Sequence, residues 1–102
     1  MASITVRCEG APEDGWVCRV TLREGGLDIS SHFVRVWQAE LTRFAPGFAT
    51  PDALVKASFA FLLERESPQM ILRSFDLTEI GRYFPEYEAT VRRTINRGEA
   101  GG

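Results

Sequence analysis

The chain has 102 residues, 44% of them hydrophobic and 25% charged, with a formal net charge of −2. That is the size and composition of one globular domain, with room for one core and little for a deep cleft besides. The acidic balance excludes a broad cationic surface for bulk nucleic-acid binding, and no apolar run approaches the roughly 20 residues of a membrane helix, so no membrane partner is expected.

The N-terminus, MASITVRCEG, lacks the basic and apolar regions of a secretory signal, which places the expected location in the cytoplasm. Cys8 and Cys18 are then expected as reduced thiols. Eleven of the twelve basic residues are Arg, with Lys56 the single lysine. Coding bias accounts for this more readily than selection for bidentate contacts.

Residues 3–8 alternate, with Ile4, Val6 and Cys8 on one side and Ser3, Thr5 and Arg7 on the other. Residues 16–23 alternate as well, with Trp16, Cys18, Val20 and Leu22 on one side. Alternation with a period of two marks half-buried strands, and the turn-rich segment EGAPEDG between them predicts a hairpin. Both apolar sets fall on even positions, so a register joining even to even residues collects them on one face. Arg7, Arg19 and Arg23 then share the outer face with Thr5 and Thr21.

EGGLDISSH reads as a loop, and FVRVW (33–37) as a third short strand. QAELTRFA (38–45) is a short helix stopped by Pro46-Gly47. The clearest helix is TPDALVKASFAFLLERE, with Thr50 as its cap and Pro51 at the first helical position. Its apolar residues cover more than one stripe, so it is either central to the core or partly covered by another subunit, and a homo-oligomer is as expected as a monomer. Ser67-Pro68 breaks the chain, and QMILRSF is expected to form a further helical turn. LTEIGRYF, capped by Asp76 or Thr78, and EYEATVRRTINR, opened by Pro85 and ended by Gly98, complete the helices. The expected fold is α+β. A single domain over residues 1–97 has an N-terminal antiparallel sheet of two or three strands and then four or five helices packed on one face. Residues 98–102 form a flexible tail.

Residues 77–97 have the order of a helix-turn-helix. The run resembles DNA-binding segments of bacterial sigma factors and of the replication initiator DnaA, which also carry E-I-G followed by V-R at this separation. On that resemblance Thr90, Arg92, Arg93, Thr94, Asn96 and Arg97 reach phosphates or base edges. The turn holds Phe84-Pro85-Glu86 where a Gly is usual, and Glu86 and Glu88 would repel phosphate at the start of the reading helix. A helical hairpin packing Ile80, Phe84, Val91 and Ile95 into the core explains the same pattern. Phe75, Tyr83, Phe84 and Tyr87 form an aromatic set suited to a partner-binding hot spot, with the two tyrosines expected to be partly exposed.

ILRSFDLTEIGRYFPEYE, with the upstream ATPDALVKASFAFLLERE, is similar to a group of small bacterial proteins that share an ILRSFDL…I-x-RYFPEYE signature after a helix ending in FLLERE. The resemblance covers about residues 40–93. It implies no activity, only that residues 71–88 are that group's characteristic packing or surface unit.

Other constellations carry less. Cys8 and Cys18 share the inner face of the hairpin, where a disulfide is geometrically possible. His32, in SSH, is expected to be solvated, and no zinc-ligand spacing joins it to the cysteines. Gly101-Gly102 matches the end of ubiquitin-like proteins, but here a helix rather than a strand leads into the tail. Arg7, Arg19 and Arg23 could bind an anion or RNA, yet no surface aromatic alternates with them in this reading, and a solvated face is expected. No phosphate loop, paired catalytic carboxylates or nucleophile elbow is visible, so no enzyme and no cofactor or metal is expected. The expected function is a non-enzymatic protein-interaction or regulatory module using Tyr83, Tyr87, Arg92, Arg93 and Asn96. The runner-up is a DNA-binding regulator using residues 77–97.

Overall fold

The computed structural model describes residues 3–11, 14–44 and 50–96. Strands β1 (Ser3–Gly10) and β2 (Gly15–Glu24) pair antiparallel, with Ile4 opposite Leu22, Val6 opposite Val20 and Cys8 opposite Cys18. Every pair joins two even or two odd positions, as the alternation requires. Cys18, Val20 and Leu22 are fully buried, while Arg7 and Arg19 lie exposed on the other face.

The segment expected as a loop is a tight turn and a strand. Gly25 and Gly26 have φ of 61° and 81°. Two successive positive φ values are what a two-residue hairpin turn matching the strand twist needs, and glycine adopts them without a Cβ clash. Strand β3 therefore begins at Leu27 and runs to Trp37. A bulge in its pairing with β2 leaves Ile29 without a partner and turns it toward the core.

Helix α1 (Gln38–Phe44) follows as expected. The proposed Pro46-Gly47 stop lies outside the described residues. Helix α2 (Pro51–Leu63) starts at Thr50, whose Oγ1 accepts from the Ala53 amide at 3.3 Å. Asp52, Lys56, Ala60 and Glu64 form its exposed stripe, and most of the rest is buried. The sheet covers one side of α2, and helix α4 (Tyr87–Asn96) covers another. Its wide apolar surface is thus explained within one chain.

The predicted helical turn over QMILRSF is corrected. Only Pro68–Met70 coil, as a 3₁₀ turn, and Ser74–Asp76 form strand β4, parallel to β3. Among the described residues the sheet has four strands in the order β1-β2-β3-β4 and is mixed rather than purely antiparallel. Leu77–Glu79 then make a 3₁₀ turn that continues as helix α3 (Ile80–Tyr83). Asp76 caps it: Oδ1 accepts from the Thr78 amide, and Glu79 reaches back to the Asp76 amide. The helices lie on the even face of the sheet. Ile80 and Val91 are buried, with Phe84 and Ile95 packed beside them, as the hairpin reading expected. Among the described residues no helix is long and apolar enough to cross a membrane.

Cys8 and Cys18 are joined as a disulfide, in place of the expected reduced pair. Their directly opposed positions on one face bring the side chains together.

Candidate partner-docking groove

The chain after α2 is fastened to the edge of β3 by three groups. The first is His32, which is 1% exposed rather than solvated. Its Nδ1 lies 2.7 Å from the Leu72 carbonyl oxygen and its Nε2 2.9 Å from Ser30 Oγ. A carbonyl only accepts, so Nδ1 carries a proton, and in the neutral ring Nε2 accepts from the Ser30 hydroxyl. The second is the Phe33 amide, which donates to the Arg73 carbonyl at 2.7 Å. The third is Trp37, whose Nε1 donates to Asp76 Oδ2 at 2.6 Å. The ring of Phe59 from α2 lies between His32 and Phe75, with centroids at 5.3 and 6.0 Å. Sheet, α2 and β4 therefore share one packing unit.

Residues 70–84 leave this frame as a groove of about 230 Å³. Its floor is apolar: Leu62 from α2, Ile71, Phe75, Ile80 and Phe84. Its rim holds Met70, Leu72 and Tyr83, which are 68%, 58% and 72% exposed. Among the described residues the charged side chains lining it are Glu66 and Glu79, with no cation beside them. The volume lies below the roughly 300–1,000 Å³ of small-molecule pockets, so the concavity suits one or two protruding side chains of a partner better than an enclosed ligand.

The residues predicted as a site do not all meet here. Tyr83 stands on the groove rim, as exposed as expected. Tyr87 is corrected: it is 2% exposed and belongs to the core. Phe44 and Phe61 pack on its ring at 5.2 and 5.4 Å. Its hydroxyl is 2.7 Å from Ser58 Oγ. Ser58 gives its own proton to the Leu54 carbonyl, so Tyr87 is the donor of the pair. Burial raises the Tyr87 pKa far above the ordinary tyrosine value, against the lowering effect of its bond to Ser58. Arg92, Arg93 and Asn96 lie exposed on α4. Arg92 is occupied locally, by the Arg43 carbonyl at 2.8 Å and Glu88 at 3.4 Å, and Glu88 also pairs with Arg43 at 2.6 Å.

The helix order over residues 77–96 is present, but α3 has only four residues beyond its 3₁₀ turn. Glu86 is exposed at the approach to α4 and bonds Arg65 at 3.1 Å, which, with a backbone hydrogen bond as the larger cause, holds its carboxyl below the usual range. A Cβ added at Gly81 would meet Tyr87 only in ordinary contact, so close approach of α3 and α4 does not demand a glycine. Arg97 and the Gly-Gly end lie outside the described residues.

Of the aromatic set, Phe75, Tyr83 and Phe84 come together at the groove. Sequence reasoning missed Met70 and Leu72, because a helix over QMILRSF hid the outward turn that exposes them. Scanned against protein-family models, curated proteins and solved structures, the chain matches none of them.

Proposed function

We propose that the chain is a non-enzymatic protein-interaction or regulatory module that holds an apolar segment with basic flanks in the groove of residues 62–84. The observation that carries this reading is the convergence of Met70, Leu72 and Tyr83 on one concavity, all more than half exposed. Scattered surface hydrophobes need no explanation, but several around one apolar depression mark an interaction site. Tyrosine supplies rigid area with a polar tip, and methionine adapts to the shape it meets. Glu66 and Glu79 on the lining favour Lys or Arg beside the apolar anchors of the partner.

Peptide display selection on the wild-type protein, with Met70→Ala/Tyr83→Ala as the counter-selection, tests the reading. The expected winners carry aromatic or aliphatic anchors next to Lys or Arg and lose roughly tenfold or more in affinity on the double variant. A selection that returns only sequences indifferent to Met70 and Tyr83 sinks it.

A further inference from the structure

The face of the sheet away from the helices carries a second, separate set of residues. Register places Arg7 of β1, Arg19 of β2 and Phe33 of β3 side by side in one row across three strands. Like charges directly opposed across a strand pair are destabilising. Arg23, Arg43, Arg65 and Arg92 are each matched with an acid, whereas among the described residues Arg73, Arg82 and Arg93 stand exposed without one, each apart from a directly opposed arginine. Among the described residues, Arg7 and Arg19 make neither an ion pair nor a side-chain hydrogen bond, although both are exposed. Phe33 beside them is 50% exposed, and Val17, one step along β2, is 41% exposed. The aromatic neighbour that the sequence reading found lacking is thus present.

The adjoining row adds a third arginine. Arg35 lies opposite Val17 on one side and Asp76 on the other, with its guanidinium 4.1 Å above the Trp37 ring. Its Nε and Nη2 are buried and have no hydrogen-bond partner. Asp76 supplies a negative charge opposite Arg35 but makes no direct ion pair with it, its oxygens accepting instead from Trp37, Thr78 N and Thr78 Oγ1. Glu9 is the other acid on these two rows, across from Val17. These rows thus hold three arginines against Glu9 and Asp76, an excess of one positive charge beside an open aromatic ring, on a chain that is acidic as a whole.

We infer that this open sheet face binds single-stranded nucleic acid. Phosphates lie against Arg7 and Arg19, and a base stacks on Phe33. A single strand fits better than a duplex, because the aromatic contact needs an unstacked base, which a duplex keeps stacked inside its helix. The row is about 10 Å long, twice the spacing between strands, so the contact is short and its affinity modest. The same polyanion relieves the repulsion between Arg7 and Arg19. The surface is built from β1, β2 and β3 and shares no residue with the groove of residues 62–84.

Fluorescence anisotropy with labelled oligo(U), oligo(dT) and a duplex of the same length tests it on the full chain. Two phosphate contacts predict a slope of log K against log salt of about −1.4, since single strands give about −0.7 per contact. Phe33→Ala should weaken binding about 5- to 150-fold, the range for loss of one stacked base, with the slope unchanged. Arg7→Gln/Arg19→Gln should flatten the slope. Met70→Ala/Tyr83→Ala should leave the affinity as it was, which separates this surface from the groove. Preference for oligo(U) or for oligo(dT) names the natural strand as RNA or DNA. Failure of both single strands to bind at low salt overturns the inference. So does binding that survives the Phe33 and arginine variants, or a duplex bound as tightly as the single strands.

Discussion

Replacing His32 with Ala should remove one of the three ties between β3 and the segment that forms the groove, leaving those of Phe33 and Trp37. The side chain is 1% exposed, packs against Phe59 and bonds both Leu72 and Ser30. Two losses are expected. Emptying a ring-sized volume beside Phe59 costs about 3 kcal/mol, at the low end for aromatic-to-alanine changes. Leaving the part-buried Leu72 carbonyl without its donor adds about 1 kcal/mol or more. The sum, about 4 kcal/mol, is a large share of the roughly 5–15 kcal/mol by which a domain of this size is stable. With a urea m value of about 2 kcal/mol/M, the unfolding midpoint should fall by roughly 2 M. His32→Asn is the discriminating control. Its amide nitrogen falls near the Nδ1 position and can still donate to Leu72, so about half the loss should be recovered. Urea titrations followed by tryptophan fluorescence measure both. A His32→Ala loss under about 1 kcal/mol, or an Asn variant no milder than Ala, refutes the assignment of His32 as a structural tie.

Three further outcomes follow from the same geometry. The Cys8–Cys18 bridge spans a sequence separation of 10, and on the chain-entropy account closing such a loop is worth about 3 kcal/mol. Dithiothreitol or Cys8→Ser/Cys18→Ser should lower the urea midpoint accordingly, and two thiols titrating freely in protein purified without reductant would contradict the bridge. Tyr87→Phe should cost about 1 kcal/mol at neutral pH through loss of its bond to Ser58. In the wild type, the folded chain keeps the Tyr87 proton where the unfolded chain releases it. Stability therefore falls as pH rises above about 10, and the variant should show a flatter alkaline limb. Finally, β1 is an eight-residue edge strand. The 4.0 Å Cα separation of Cys8 and Cys18 marks a pair whose backbone groups point away from each other, so Val6, two residues along, aims its N–H outward. If β1 pairs with a second copy, light scattering should give twice 11.4 kDa, and Val6→Pro should return the monomer with its fold intact. A wild-type mass of one chain removes self-pairing.

Much of this fold is written locally. The even-position apolar sets of β1 and β2 dictate their register, because a slip of one residue would turn Val6, Val20 and Leu22 toward solvent. Thr50-Pro51 and Asp76 through Glu79 carry their own capping chemistry. The apolar spacing of Val91 and Ile95 predicts the buried side of α4. Tyr83 and Phe75 were visible as site candidates because aromatic residues clustered in a short span are recognisable in any fold.

Tertiary structure decided the rest. Ile71 through Phe75 can coil or extend, and the open edge of β3, with His32 waiting for the Leu72 carbonyl, selects the extended form. A histidine that follows two serines looks solvated until that edge covers it. Tyr83 and Tyr87 sit four residues apart with similar local signals, yet one is exposed and the other is walled in by Phe44 and Phe61 from distant helices. The row of Arg7, Arg19 and Phe33 likewise joins three strands whose partnership no single stretch of sequence states. Periodicity and capping act between near neighbours along the chain, so the sequence alone determines them. Burial, exposure and the company a side chain keeps depend on which distant surfaces close over it, and only the folded chain decides those.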